Sequence, residues 1–138
     1  MEALQQPSAS LEALRQRKAA VETLLRQHQD LVARLDSVLE ARKQNNKRME
    51  LPVDIGMGFT VEGIVNDTGR VVVAAGPQDL YLELEVGHAR DFVEKRCKLL
   101  EKRLETVERP LAQAEAEHER VLETLKAAFE VPETANTA

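Results

Sequence analysis

Aromatic residues and cysteines are scarce in this sequence. Only 3% of its 138 residues are aromatic, Trp is absent, and Cys97 is the single cysteine. One cysteine excludes an internal disulfide, and the N-terminal residues lack the basic start and the apolar stretch of a signal peptide. We therefore expect a protein of a reducing compartment, the cytoplasm or the nucleus. With so few rings, the core must be built from Leu, Val and Ala, which suits long helices.

Long hydrophobic runs and an excess of positive charge are also missing. No run approaches the roughly 20 apolar residues that a membrane-crossing helix needs, so we expect a soluble protein that does not bind membranes. The net charge of −5, from 24 acidic and 19 basic residues, provides no general attraction for phosphates and argues against a nucleic-acid partner. The length fits one domain, which we place over residues 1–138.

Glycine is confined to the middle of the chain. All six glycines lie in residues 51–87, and the flanks contain none, as long helix interiors require. Charge divides the chain at the same places, because residues 51–87 hold one basic and six acidic residues while both flanks carry many charges of each sign. The sequence therefore predicts a helix, a small sheet and a second helix.

The first flank has the apolar spacing of a coiled coil. Its pattern alternates steps of three and four residues, which is the a/d rule for helices that pack along a seam. Ser8 or Ser10 can cap the start, and Asn45-Asn46 is a natural stop, so we predict a helix over 9–46 after a flexible tail, 1–7. The seam positions are Leu11, Leu14, Lys18, Val21, Leu25, His28, Val32, Leu35 and Leu39.

The last flank repeats the pattern over more than four heptads. We predict a helix over 88–129, followed by a flexible tail, 131–138. Pro110 lacks a backbone N–H and clashes with the preceding turn, so we expect a bend near 106–110 within one continuous helix. The seam positions are Val93, Cys97, Leu100, Leu104, Val107, Leu111, Ala114, His118, Val121, Leu125 and Ala128.

The middle segment, residues 50–87, has the alternation of two β-hairpins. Apolar residues recur at every second position, and turns are predicted at Gly56-Met57-Gly58, at Asn66–Gly69 and at Gly76–Asp79. Four short strands have little area to bury on their own, and their edges would be exposed. We therefore expect strands of other chains to complete a shared β structure, the hub. The predicted hub residues are Val53, Ile55, Phe59, Val61, Val71, Val73, Leu80, Leu82 and Leu84.

The two heptad patterns match in length and phase, so we expect the helices to pair antiparallel as two projecting arms. The matching register places Leu39 opposite Cys97 and Lys18 opposite His118, a polar pair that could set the register. The predicted fold class is therefore α+β, with a long helical coiled-coil hairpin and two β-hairpins at its base.

This order of elements resembles that of α-class prefoldin subunits, over about residues 9–128. The resemblance is carried by Val53-Asp-Ile-Gly56, Phe59-x-Val61, Val65-x-Asp67-Thr68 and Leu82-Glu-Leu84. It implies a prefoldin-like fold and a hetero-oligomer, a hexamer of two α-class and four β-class subunits. It also implies a non-enzymatic role, in which the arms hold unfolded or assembling client proteins without ATP.

The ends of the predicted arms suit client binding. If the last turns open, apolar side chains become accessible there, and several weak patches around one cavity can act together. The predicted client-binding residues are Leu11, Leu14, Val121 and Leu125. The alternative function is a scaffold or transcription-coregulator subunit that binds defined protein partners through its coiled coil.

Other chemistry-bearing residues have simpler interpretations. His28, His88 and His118 lie far apart in the predicted fold and have no neighbours at metal-ligand spacing. Cys97 lies at a seam position with no histidine placed to activate it. We therefore expect no catalytic, metal or cofactor site and no cofactor. The basic residues of segment 42–48 fit a solvated helix end, the alternatives being a nuclear import signal or a phosphate contact.

Overall fold

The computed structural model confirms the predicted α+β class, with two long helices flanking two β-hairpins. It describes residues 2–76 and 78–134, and the side chains of 10–76 and 78–130. The elements are α1 (Glu2–Lys43), β1 (Met49–Gly56), β2 (Phe59–Val65), β3 (Arg70–Ala74), β4 (Tyr81–Glu85) and α2 (Val86–Thr134).

Helix α1 starts earlier than the sequence pattern predicts. Residues 2–7 were expected to form a flexible tail, but α1 begins at Glu2, and Ser8 and Ser10 lie inside it and are not caps. The residues 2–6 are mostly strong helix formers, so propensity extends the helix beyond the heptad pattern. Helix α2 likewise passes the predicted end at 129 and reaches Thr134. Residues 135–138 of the predicted second tail lie outside the described residues.

Helix α1 ends at Lys43, three residues before the predicted end at 46, and Asn45 and Asn46 form its C-terminal cap. Asn45 adopts a φ of 66°, the left-handed conformation that terminates many helices. The amide of Asn46 donates to the carbonyl of Ala41 at 2.9 Å, and that of Asn45 donates to Arg42 at 3.1 Å. These two bonds form a Schellman cap, which satisfies carbonyls that the end of α1 would otherwise leave without donors.

The chain divides into two compact units. The first contains Met1–Leu25 and Leu99–Ala138, and the second contains Arg26–Lys98. In the first unit α1 and α2 run antiparallel, since Arg15 contacts Glu115 at 3.2 Å and Lys18 contacts Glu108 at 3.8 Å. The second unit contains the end of α1, both hairpins and the beginning of α2.

The predicted apolar seam agrees with the observed burial. All nine seam positions of α1 are buried or half-buried, and so are the eight seam positions of α2 from Val93 to His118. Val121, Leu125 and Ala128, which continue the pattern, are exposed. Helix α2 runs through Pro110 as one continuous element, as expected. The helices thus bury most of their apolar residues along the seam.

The predicted register of the seam is wrong. It places Lys18 opposite His118, whereas Lys18 contacts Glu108 and Glu22, so the proposed polar pair does not form. In the second unit, Arg90 contacts Asp36 at 2.8 Å, although the predicted register would place Asp36 level with residue 100.

The physical reason for this error is the period of the pattern. A heptad pattern matches itself after every shift of seven residues, so several registers bring apolar faces together. The observed ion pairs fit a shift of about one heptad from the predicted register. Helix α1 ends at Lys43 and α2 begins at Val86. The hairpins and loops between these two residues have a fixed length, and this length selects one of the registers that the heptad pattern allows.

The two predicted β-hairpins are present, but each forms its own two-stranded antiparallel sheet and the four strands do not join in one small sheet. In the first, Val53 pairs with Val61, and a β-bulge lies between Asp54 and Gly56. The turn after β1 requires left-handed backbone at three successive residues, with φ of 100° at Gly56, 55° at Met57 and 79° at Gly58. Glycine adopts this conformation without steric cost, which explains the glycine pair.

The second hairpin pairs β3 with β4 along its whole length. Val71 faces Leu84 and Val73 faces Leu82 on one side of the sheet. On the other side, Arg70 contacts Glu83 at 3.2 Å across the strands. The amide of Ala75 donates to the carbonyl of Leu80 at 2.9 Å, which closes the connection between the strands.

Asp67 links the loop between the hairpins to α1. Its Oδ1 accepts hydrogen bonds from Arg42 Nη1 at 2.7 Å and from the amide of Gly69 at 2.9 Å. These donors favour the ionised carboxylate and hold the pKa of Asp67 below its ordinary value of 3.8, with the Arg42 hydrogen bond as the largest cause. The neighbouring Thr68 is buried, and its amide donates to the carbonyl of Lys47 at 3.0 Å.

Arg90 makes a second link, between the beginning of α2 and α1. Its Nε donates to Asp36 at 2.8 Å, and its Nη1 donates to Glu94 at 2.7 Å. The hydrogen bond that Arg90 donates to Asp36 is the largest cause that raises the pKa of Arg90 above its ordinary value. Further along α2, Arg96 donates to the carbonyl of Ala74 at 2.7 Å and so holds the end of β3.

We expect Asp67→Asn to destabilise the chain near neutral pH. A carboxylate with a lowered pKa contributes stability above its unfolded value, and this contribution is lost as pH falls through the folded value. The difference in free energy of unfolding between the wild type and Asp67→Asn should therefore shrink as pH falls below about 3.8. Urea unfolding across this pH range measures it, with Glu50→Gln as the control. A difference that is constant with pH would contradict the assignment.

The end of the buried seam before Val121 predicts that two identical substitutions in α2 lower the free energy of unfolding by different amounts. Leu111 is 5% exposed and Leu125 is 41% exposed. Leu111→Ala should leave a cavity and lower the free energy of unfolding by about 2 to 5 kcal/mol, whereas Leu125→Ala should cost about 1 kcal/mol or less. Thermal or urea unfolding of both variants checks this. Equal costs would show that the seam does not end before Val121.

Candidate functional site

The first hairpin exposes an almost continuous apolar surface. Every residue of β1 after Met49 is exposed, and so are the apolar residues of β2. Ile55 is 63% exposed and Phe59 is 68% exposed, close to the tight turn. Four predicted hub residues, Val53, Ile55, Phe59 and Val61, thus lie together on one hairpin.

Met57 also belongs to this surface and was missed by the sequence analysis. It is 98% exposed at the tip of the turn, beside Ile55 and Phe59. The signal was present, because an apolar residue between two glycines in a tight turn has no neighbours to pack against. We call Val53, Ile55, Met57, Phe59 and Val61 the hairpin surface.

The packing of Val53 shows why Gly63 is needed in β2. A Cβ on Gly63 would lie 2.7 Å from Val53 Cγ2. The side chain of Val53 therefore extends over the space above Gly63, and a larger residue there would displace it. Glycine in β2 thus permits the close cross-strand packing of the hairpin surface.

In the second hairpin, one face that was predicted to belong to the hub is largely buried within the chain itself. Val73 is only 6% exposed, and Val71 and Leu84 are half-buried, so this face is largely covered within the same chain. Leu82 and Leu80 remain exposed. Strand alternation identifies the two faces but does not say which of them the chain covers itself. Val73 is accordingly a core residue of the chain in this structure.

The opposite face of the second hairpin carries two exposed apolar residues that the sequence analysis assigned to no site. Val72 is 65% exposed and Tyr81 is 62% exposed, on the side where Arg70 pairs with Glu83. Three consecutive valines at 71–73 were a signal for them, since such a run places an apolar residue on both faces.

The four predicted client-binding residues fall into two groups. Leu11 is buried and Leu14 is half-buried on α1, whereas Val121 and Leu125 on α2 are exposed. Two further exposed residues of α2, Leu122 and Phe129, extend the accessible group. The spacing of 122, 125 and 129 is helical, so these side chains lie on one face. We call Val121, Leu122, Leu125 and Phe129 the α2 end surface.

The predicted basic helix end is largely neutralised by neighbouring acids. Arg42 pairs with Asp67 at 2.7 Å, Lys43 with Glu40 at 3.6 Å, and Arg48 with Glu50 at 3.2 Å. Three of the four basic residues in segment 42–48 therefore have a carboxylate partner, which favours a structural role for the segment.

The described part of the chain holds no group of three or more His, Cys, Asp or Glu side chains that could bind a metal ion. Among the same residues, no helix is both long and apolar enough to cross a membrane. Cys97 is buried on α2, and His88 Nδ1 lies 3.7 Å from Glu85 on an exposed surface. The arrangement presents surfaces for macromolecular contact.

Known proteins share this architecture. The Prefoldin family, described as prefoldin subunit, matches residues 7–130. The cryo-EM structure of filamentous PFD from Methanocaldococcus jannaschii shares the fold with a TM-score of 0.66 and 25% identity, over 89% of this chain and 98% of that one.

The chain is also similar to Protein UXT. It is 40% identical to the protein of Homo sapiens over 68 residues and 34% identical to that of Bos taurus over 67 residues. Each match covers 48% of this chain and 42% of the relative, so the chain is matched over less than half the length of these proteins. The resemblance predicted from the strand motifs is confirmed, and the chain belongs to the prefoldin subunit family.

Proposed function

We propose that the chain is a non-enzymatic subunit of a hetero-oligomeric chaperone or co-chaperone, either prefoldin itself or a prefoldin-like complex. In this proposal it assembles with α- and β-class prefoldin-type subunits, and the complex holds unfolded or assembling client proteins. The single observation that carries the proposal is the exposure of the hairpin surface. A two-stranded sheet with so many exposed apolar side chains is not stable by itself in water.

Assembly with other subunits would cover the apolar side chains of the hairpin surface and pair its open strand edges. The two hairpins form separate sheets, so their strand edges have unpaired backbone groups that can pair with strands of another chain. The M. jannaschii relative, described as filamentous, is an assembly of chains with this fold. Its likeness over most of both chains supports assembly of this chain with similar subunits.

Client holding is assigned to the α2 end surface. Its four apolar side chains are exposed in the chain, and exposed apolar clusters are typical of sites that bind other proteins. One such surface would bind an unfolded segment weakly. Several subunits around one cavity would raise the effective concentration and hence the affinity.

The second candidate function is a scaffold or transcription-coregulator subunit that binds defined protein partners through the helices. The similarity to Protein UXT over 48% of the chain is compatible with either function. We place the protein in the cytoplasm, and also in the nucleus if the scaffold function applies. Saturable binding to one folded partner, without suppression of client aggregation, would favour the scaffold.

The assembly proposal predicts the effect of Ile55→Asp combined with Phe59→Asp. Both side chains are exposed in the single chain, so each substitution should change its stability by only about 0.5 kcal/mol. Burial of the two aspartates at a subunit contact would abolish assembly. The measurement is mass determination of the complex that co-purifies after co-expression with β-class prefoldin subunits.

The matched control for this experiment is Val72→Asp combined with Tyr81→Asp. These two residues are about as exposed but lie on the second hairpin, outside the predicted hub. This control should assemble normally. If the control variant loses assembly while Ile55→Asp with Phe59→Asp keeps it, the contact lies on the second hairpin and the hairpin surface is not the interface.

The client-holding proposal predicts the effect of Val121→Ser combined with Leu125→Ser. The assembled complex should form normally but suppress aggregation of a denatured client protein several-fold less well, because two apolar contacts per subunit are lost. Light scattering of the refolding client measures this. Leu99→Ser, which alters an exposed leucine elsewhere on α2, should leave suppression unchanged. Full activity of the double variant would refute the assignment.

A further inference from the structure

A groove runs between α1 and α2 in the first unit, and none of its lining residues belongs to the α2 end surface. Its volume is about 540 Å³. Its apolar lining comes from both helices, with Leu14, Val21 and Leu24 on α1 and Val107 and Pro110 on α2. The seam buries Val21 and Val107, so the groove is an apolar depression along one side of the packed helices.

Small side chains create the depression. Ala20 and Thr106 lie among the larger lining residues and leave space above the backbone. The hydroxyl of Thr106 donates to the carbonyl of Arg103 at 2.7 Å, so it is satisfied within its own helix. Pro110 has no N–H to donate to the carbonyl of Thr106, the acceptor it would have in a regular helix. The small side chains thus leave the groove with an apolar floor.

Two arginines give the groove a positive rim. Arg17 lines it from α1 and Arg103 lines it from α2. Their neighbours on α1 are neutralised, because Arg15 pairs with Glu115 and Lys18 pairs with Glu108. Within the part of the chain that the structure describes, neither rim guanidinium has a carboxylate within 4.0 Å. The rim charges are therefore available to a ligand.

We propose that this groove binds an amphipathic helix of a partner protein, whose apolar stripe is flanked by acidic residues. A depression between two helices accepts a third helix, whose apolar side chains at steps of three and four fill it. The two rim arginines select carboxylates, which they can bind with paired hydrogen bonds. This site goes beyond the proposed assembly and client holding, because it recognises a folded helix of defined charge.

Charge argues against the other occupants of the groove. A second copy of this chain that docked the same groove by twofold symmetry would bring the positive rims of both copies together. Nucleic acid would find only two cations beside an apolar floor, on a chain whose net charge is −5. A helix with an apolar stripe and acidic flanks is complementary to both the apolar floor and the positive rim of the groove.

The test uses the full chain in its co-expressed assembly and two fluorescent helical peptides about sixteen residues long, roughly four turns. Both carry leucines at steps of three and four, one with glutamates beside the leucine stripe and the other with lysines. Fluorescence anisotropy should show saturable binding of the glutamate peptide to the wild type. Arg17→Glu combined with Arg103→Glu should weaken it at least about tenfold and should favour the lysine peptide.

The matched control is Arg26→Glu combined with Arg109→Glu. It changes the net charge equally at exposed arginines that do not line the groove, and it should alter the affinity for the glutamate peptide by less than about twofold. Circular dichroism of each variant verifies that the helices are intact. Failure of the wild type to bind the glutamate peptide, or equal weakening by both double variants, would overturn the proposal. The proposal would also be overturned if the peptide bound only after two assemblies had dissociated from each other, because a second copy of the chain would then be the occupant of the groove.

Discussion

The apolar seam between α1 and α2 is the constraint on which the rest of the structure depends. All nine predicted seam positions of α1, from Leu11 to Leu39, and the eight of α2 from Val93 to His118 are buried or half-buried. Because the helices bury these residues along the seam, they have few left to cover the strands. The first hairpin consequently keeps its apolar residues at the surface, and these exposed residues are the physical basis of the proposed assembly.

Hydrogen bonds of charged side chains hold the strands to the helices where few apolar side chains pack between them. Asp67 receives hydrogen bonds from Arg42 and Gly69, and Arg96 reaches the carbonyl at the end of β3. Hydrogen bonds that involve a charged group are stronger than neutral ones. Their role is geometric, since they set where the loop between the hairpins lies relative to α1 in the second unit, and so where the hairpins begin.

Three exposed surfaces of the chain differ in chemistry and therefore in the partners that suit them. The hairpin surface is apolar with open strand edges, which suits strands of another subunit. The α2 end surface is apolar and helical, which suits extended client segments. The groove with Arg17 and Arg103 is apolar with a positive rim, which suits an acidic helix. In the proposed function, these surfaces would let one subunit assemble, hold clients and be recruited through different contacts.

The order of elements, the seam residues and the strand pairing were all determined by the amino-acid sequence. Local periodicity carries this information, because a seam needs steps of three and four and a strand needs alternation. The register of the helices and the burial of Val73 were decided only by the tertiary structure. A heptad pattern matches itself after every seven residues, and alternation separates two faces without saying which of them the same chain covers. Both choices depend on contacts between segments that are distant in the sequence, and no local pattern contains them.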